Sequence, residues 1–547
     1  MSAKGKIARA AGLMSIATFI SRILGYVKDM ILARYFGATG SADVFFVAFR
    51  IPNLLRELFA EGSMSSAFIP VVTDYQTRHG RDEANRLVSS TFIFIFIFVG
   101  IICVLGVIFA PAIVSAIAPG FLKEPEKFSN TVLLTRIMFP FLLFISLAAL
   151  TMGALNTRGV FFIPALAPAT LNIVVIISVL ALSMQFTNPI VAVAIGVTAG
   201  GLVQFLIQMP SFFKQGYILF RSQTPPLNPP LAKDITPPLP PLGKGGIGGV
   251  WHPGLKRIGL LIIPSTAGLA VAQINIFIST ILASYLAEGS ITYLYYSMRL
   301  VQFPIGIFGV AMGMAVLPAL SEHSIKGEIE KVKEDFSFAL RLLFFITVPA
   351  MIGLIALNVP IVSTLFQRGK FGYAATIGTS DALMFYSLGI WAIVGVRVIA
   401  ATFYSMQDTR TPVKVAALAM IINVIFSLLL MKPMKHNGLA FANAIASGCN
   451  FILLFYFLRK KLGGVGTKRI ASSFGKTLAA SLIMGVVGWF VVRSEIWTLS
   501  GYGLKKAAYL GSAIIICTVI YMLLSYLLKN EEMGYIMEKV RQKIGMK

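Results

Sequence analysis

Hydrophobic positions in this chain fall in long, almost unbroken runs, without the alternation of a half-buried strand. Residues 87–117, 131–155 and 258–286 each carry close to the ~20 apolar residues needed to cross a hydrocarbon core. Backbone polar groups in lipid must be satisfied within their own segment, so runs of this length predict helices. They are too continuous for the alternating signature of an outer-membrane barrel. Read along the whole chain, the pattern predicts about fourteen spans, starting near residues 11, 41, 88, 131, 160, 188, 256, 288, 336, 379, 411, 437, 471 and 504. The first follows Lys4, Lys6 and Arg9, the charge layout of a secretory signal. No small-residue cleavage site stands out, and the run continues through Arg22 and Lys28, so it reads as a span.

Composition agrees with lipid as the main solvent. Of 547 residues 57% are hydrophobic and 13% charged, and the mean hydropathy is +0.82. An ordinary soluble domain is about 45–50% apolar and about 25% charged. The formal net charge of +25 would suggest nucleic acid in a soluble protein. Here the basic residues sit mostly in the loops. With both termini in the cytoplasm, about thirty loop Lys and Arg fall inside and about ten outside. Arg78/Arg81/Arg86, Arg459/Lys460/Lys461 and Lys468/Arg469 are all on the inside. The basicity is therefore a matter of topology and contact with anionic membrane lipids, with no nucleic-acid partner expected. Cys103, Cys449 and Cys517 lie in apolar spans, with no disulfide framework or metal spacing.

The sharpest boundary lies at residues 222–253. Thr224-Pro-Pro-Leu, Asn228-Pro-Pro-Leu and Thr236-Pro-Pro-Leu precede a Gly-rich tract at 243–249, a composition that forms neither a helix nor a core. The stretches on either side are related. Ile69-Pro-Val-Val-Thr-Asp74 aligns with Leu317-Pro-Ala-Leu-Ser-Glu322, and Gly40-Ser41 with Gly289-Ser290. Asn156-Thr-Arg158 aligns with Asp408-Thr-Arg410, and Asn172 with Asn423. An ordered series of matches at a nearly constant offset predicts two copies of a six-span unit. An even number of spans makes the copies parallel, with any substrate site between them. The expected fold is an all-α polytopic membrane protein: two pseudo-symmetric six-helix lobes around a central cavity, plus two extra C-terminal helices. The expected divisions are an N-terminal lobe at 1–221, a cytoplasmic linker at 222–253, a C-terminal lobe at 254–462, and spans 13 and 14 with a cytoplasmic tail at 463–547.

Ionisable residues inside spans carry the functional signal, because each costs about 2.5–3.5 kcal/mol at a helix centre and so faces a cavity or a partner. Span 1 holds Arg22, Lys28 and Asp29; span 2 holds Asp43, Arg50, Arg56, Glu57 and Glu61; span 8 holds Arg299; span 10 holds Asp381 and Arg397. Arg22 and Asp29 are two turns apart on one face, and Asp43, Arg50 and Glu57 follow a seven-residue step. One reading is mutual neutralisation, with Lys28 on Asp43 and Arg56 on Glu57 or Glu61. As a set, however, cations are in excess, and arginine's planar fork matches phosphate oxygens. The inference is an aqueous cavity for a phosphate-bearing substrate. No metal pair, phosphate-binding loop, catalytic triad order or ATPase domain is visible, so no cofactor is expected. Energy must then come from a coupling cation, the membrane potential or the substrate gradient. Asn275, Asn423 and Asn443 could contribute to a cation site or serve as glue between helices.

Several of these residues belong to longer recognisable stretches. Ser21-Arg-Ile-Leu-Gly-Tyr-Val-Lys-Asp29, Phe36-Gly-Ala, Asp43-Val-Phe-Phe-Val-Ala-Phe-Arg-Ile-Pro-Asn-Leu-Leu-Arg56 and Phe59-Ala-Glu-Gly62 resemble the start of the MurJ/MviN lipid II flippases. Ala118-Pro-Gly-Phe121, Leu365-Phe-Gln-Arg-Gly369 and Phe403-Tyr-Ser-Met-Gln-Asp-Thr-Arg-Thr-Pro412 continue the resemblance, which runs in order from about residue 10 to 460. It implies the multidrug/oligosaccharidyl-lipid/polysaccharide exporter fold and alternating access in the bacterial cytoplasmic membrane. The implied substrate is the undecaprenyl-diphosphate-linked peptidoglycan precursor, lipid II, with the cell-wall synthesis machinery as a further partner. By motif it assigns Ser21, Arg22, Lys28, Arg56 and Arg299 to the diphosphate, and Asp43 and Glu61 to gating or cavity structure, where Asp29, Arg50 and Arg397 are also placed. Spans 13 and 14 are implied to form a groove for the polyprenyl tail. Lys28 stands where the family often has arginine. The alternative is an exporter of another polyprenyl-diphosphate-linked oligosaccharide, which the charge pattern does not separate from the first. A polytopic glycosyltransferase would need an acidic pair in a sizeable outer loop, and the outer loops are short.

Overall fold

The computed structural model describes residues 3–57, 63–218 and 252–544. Glu61 and nearly all of the Pro/Gly-rich linker lie outside the described residues. Within them the chain is helical, without strands. The first run of helices is α1 (Ala3–Phe36), α2 (Gly40–Arg56), α3 (Ser63–Ile108), α4 (Ala110–Ile117), α5 (Pro125–Thr157), α6 (Phe162–Leu182), α7 (Val191–Leu206) and α8 (Met209–Lys214). After the linker come α9 (Pro253–Ser284), α10 (Ser290–Pro304), α11 (Val310–Ile325), α12 (Ile329–Ala356), α13 (Asn358–Phe366), α14 (Tyr373–Ser387), α15 (Ile390–Ser405), α16 (Arg410–Met434) and α17 (His436–Leu462). The chain closes with α18 (Thr467–Val491), α19 (Gly503–Leu527) and α20 (Glu531–Ile544).

Eleven helical stretches among the described residues are long and apolar enough to cross a membrane. The three expected spans outside that set correspond to α1, α2 and α9. Four charges fall between Arg22 and Arg34 of α1, and α2 is only 17 residues long, so a test of length and apolarity passes over both. Eleven of the fourteen expected span starts fall inside a helix, and the other three, at 160, 188 and 288, lie two or three residues before one.

The internal repeat is visible element by element. Starts of α1 and α9, and of α2 and α10, are 250 residues apart; those of α4 and α13, α5 and α14, and α6 and α16 are 248 apart. Even an irregularity repeats. Described residues of α2 run into a π-turn at Glu57, and α10 runs into a π-helical turn at Ile305–Gly309 before α11 continues the span. Such turns are rare and concentrate at functional sites.

The chain divides into two compact units. Unit 1 comprises Met1–Lys28, Ala48–Val114 and Ser129–Ala270; unit 2 comprises Asp29–Val47, Ser115–Phe128 and Val271–Lys547. The boundary therefore cuts through α1, α2, α4, α5 and α9 instead of following the linker alone.

Unit 1 is built on α3, α5, α6 and α7. Gly80, at φ +86°, breaks α3 into two helices. Phe68, Leu87, Leu142, Leu150, Phe212 and Tyr217 belong to its core. Small residues let helices approach: Gly196 and Gly200 of α7 lie against Val175, Ser178 and Leu171 of α6. Thr135, Ser146 and Thr151 of α5 return their hydroxyls to carbonyls one turn back, so they need no outside partner in lipid.

In unit 2, α12 packs on α18, α16 on α17, and α10 on α14. Phe345, Ala480, Met484, Cys517 and Tyr521 join α12, α18 and α19. The C-terminal helix α20 is tied down by charge. Arg341 of α12 donates from one nitrogen to both Glu531 and Glu532 at 2.6 Å, while Arg469 and Ser473 of α18 hold the same two acids. Arg341 and Glu532 are both buried. The Arg469 guanidinium, followed by Arg341, holds the Glu531 carboxyl below its usual range.

Candidate functional site

Expected site residues are distributed over both units. Ser21, Arg22, Lys28, Arg50 and Arg56 belong to unit 1; Asp29, Asp43, Arg299 and Arg397 belong to unit 2.

In unit 1, Arg22 is exposed on α1, and Ser21, Lys28, Arg50 and Arg56 are half-buried. The Ser21 carbonyl accepts from Asn172 Nδ2 of α6 at 3.3 Å, which fixes α6 to α1 beside Arg22. Its repeat counterpart behaves alike: Asn423 Nδ2 of α16 donates to Asn275 Oδ1 of α9 at 2.7 Å. Each repeat thus uses one asparagine to join its fifth span to its first, and the second of these bonds joins two of the side chains considered for a cation. On α2, Arg56 Nε donates to Asn53 Oδ1 at 3.1 Å and a terminal nitrogen stands 3.7 Å from Glu57. Asn53 also donates to Glu57 at 3.1 Å, so the three residues form one local cluster at the π-turn.

In unit 2, Arg299 of α10 meets Asp29 of α1 through Nε, at 3.1 Å. Asp29 is fully buried and Arg299 about a third exposed, at 35%. A buried carboxylate needs a cation, and this one orients the guanidinium by its inner edge. Arg397 is exposed on α15, within a span, and no carboxylate among the described residues pairs with it. Gly309 and Gly313, at the end of the π-turn and just after it, leave room for its side chain to run past.

Asp43 is 1% exposed. Its two oxygens accept from the backbone N–H of Gly289 at 2.7 Å, from the N–H of Thr292 at 2.9 Å and from the Thr292 hydroxyl at 2.7 Å. These are the orphan donors at the start of α10, where a negative charge is favoured. A matching contact runs the other way: Glu288, just before α10, accepts from the N–H of Gly40 at the start of α2. Each repeat's second helix is therefore capped by an acid of the other repeat. Gly289 has φ +86°, a conformation that favours glycine. Below the caps, Phe46 stacks on Tyr295 with centroids 3.9 Å apart. Helix capping takes both oxygens of Asp43.

Sequence reading did not single out Glu288 or Thr292. The repeat had already marked Gly40 and Gly289 as equivalent, and an acid one residue before Gly289 was the available signal. Arg341, Glu531 and Glu532 were missed because neither residue 341 nor the tail stood out without its partner.

A helical membrane protein with duplicated six-span architecture, capped second helices and arginines inside its spans is a transporter scaffold. Comparison with known proteins narrows this. The family described as "Lipid II flippase MurJ" matches residues 32–510. The probable lipid II flippase MurJ of Haemophilus influenzae is 35% identical, over 87% of this chain and 91% of that protein. The lipid II flippase MurJ of Burkholderia cenocepacia is 31% identical, over 94% and 96%. A solved lipid II flippase MurJ in an inward closed conformation superposes with a TM-score of 0.76 at 26% identity, over 95% and 99% of the two chains. An inward-facing MATE transporter of the MOP superfamily shares the fold, with a TM-score of 0.63 at 16% identity, over 83% and 98%. The chain belongs to the lipid II flippase MurJ family.

Proposed function

We propose that this chain is a flippase that moves lipid II from the inner to the outer leaflet of the bacterial cytoplasmic membrane by alternating access, without chemical turnover. Both termini face the cytoplasm. Ser21, Arg22, Lys28, Arg56 and Arg299 bind the diphosphate; Asp29, Asp43, Glu61, Arg50 and Arg397 shape or gate the cavity. A coupling cation or the membrane potential drives the cycle, and the cell-wall synthesis machinery takes the product.

The observation that carries this reading is the orientation of Arg299 within a span by a fully buried Asp29, in a chain matched to the family over residues 32–510. An arginine oriented through Nε by a buried carboxylate and about a third exposed presents a planar fork whose geometry matches phosphate oxygens. Complementation of a conditional flippase-deficient bacterium tests it, with lipid II exposed on the outer leaflet as the readout. Arg22→Ala and Arg299→Ala should abolish rescue while the protein still inserts. Normal transport by both would remove the site assignment.

A further inference from the structure

Helices α3 and α9 of unit 1 leave a cavity of about 390 Å³ between them. Phe94 and Ile95 of α3 face Leu255, Ile258 and Ile262 of α9 across it. Gly259 forms part of the lining, and a Cβ built there would meet nothing within 4 Å. Further along α3, Phe96, Ile97 and Phe98 are exposed, so the apolar lining continues onto an apolar outer surface.

One end is polar. Lys256 lines the cavity, is exposed, and has no carboxylate among the described residues within ion-pair distance. Neighbouring charges are engaged elsewhere: Arg257 with Asp74 at 2.7 Å, Arg86 with Glu83 at 3.3 Å, and His252 with the same Glu83 at 3.0 Å. Among the described residues, Lys256 is thus the cation at this mouth with no acid to answer it.

We propose that the α3/α9 cavity is a site for an anionic glycerophospholipid, with one acyl chain lying along Gly259 and the headgroup phosphate on Lys256. A water-soluble ligand would leave its polar groups unsatisfied against Phe94, Ile95, Ile258 and Ile262. A polyprenyl tail is too large, since about 390 Å³ holds only about a dozen water-sized groups. Most of one acyl chain fits that volume, and an ammonium with no carboxylate partner among the described residues, at the cytoplasmic end, selects an anionic headgroup. The choice of leaflet rests on the orientation in the proposed function; the site itself does not.

Native mass spectrometry of the full chain in detergent, titrated separately with phosphatidylglycerol and phosphatidylcholine, tests the proposal. Phosphatidylglycerol should give a first bound lipid that phosphatidylcholine does not. Lys256→Ala should weaken it about fivefold, one basic residue's share of attraction to anionic lipid, and Lys256→Arg should restore it. Gly259→Leu should fill the slot and remove the first bound lipid while the variant elutes as a folded species. Equal binding of both lipids, or parental binding by Gly259→Leu, overturns the proposal. Displacement of the first phosphatidylglycerol from the parent by an equimolar amount of undecaprenyl phosphate also overturns it, by making the cavity a substrate-tail site. All three variants should rescue the flippase-deficient strain, so failure here and failure of the flippase reading are separate results.

Discussion

Replacing Asp43 should loosen the junction between α2 and α10 by an amount the geometry sets. Its buried carboxylate takes three donors, at 2.7, 2.9 and 2.7 Å. At about 1.5–3 kcal/mol for each bond to a charged group, the three bound the effect at roughly 5–9 kcal/mol. They share one carboxylate, and water reaches the donors once the side chain is truncated, so about 3 kcal/mol is the working value for Asp43→Ala. That corresponds to about a hundredfold more open junction. Asp43→Asn keeps one acceptor but loses the charge at the helix start, for about 1.5 kcal/mol and roughly tenfold. A reporter is available: Val44→Cys, at a buried position beside the cap, in a chain whose Cys103, Cys449 and Cys517 have been replaced. Labelling by a membrane-impermeant maleimide should be slow in the parent. It should rise about tenfold with Asp43→Asn and about a hundredfold with Asp43→Ala, because labelling follows the open population when opening is fast. Glu288→Gln should act in the same direction through Gly40. Parental labelling in Asp43→Ala would refute the capping argument, because Glu288 on Gly40 would then hold the junction without it.

Arg341→Ala leaves the buried Glu532 without its cation and should cost about 3–5 kcal/mol, releasing α20 to protease at its start while the spans stay folded. Lys461 and the start of α16 hold the Asp408 carboxyl down to about 2. Its folded value lies below the unfolded one of about 3.9, so its contribution is present above about pH 4 and lost as pH falls toward about 2. Thermal unfolding at pH 5 and pH 3 should show a larger acid loss in the parent than in Asp408→Asn. Gly120→Ala places a Cβ 2.1 Å from the backbone oxygen of Ser284, which cannot yield as a side chain would; the variant should show a depressed Tm in detergent. Lys28→Arg should keep full complementation if that position supplies a positive charge only.

Much of the architecture was legible in the chain itself. Uninterrupted apolar runs admit only helices in lipid, so the fourteen span starts could be placed from length and hydropathy. The constant offset between Gly40 and Gly289, and between Asn172 and Asn423, announced the duplication, because a copied helix keeps the residues its packing needs. Intramembrane charge was equally visible, since its cost makes each such residue conspicuous. What each charge does was not visible. Asp43 and Glu288 lie 245 residues apart, and only the folded chain brings one to the start of α10 and the other to the start of α2. Asp29 and Arg299 likewise become a pair only when α1 and α10 pack together. Periodicity fixes which residues share a face of one helix; which face meets which is decided by side-chain packing between helices far apart in sequence. That decision also turned Asn275 and Asn423 from isolated polar residues into a bond, and joined the tail acids to Arg341.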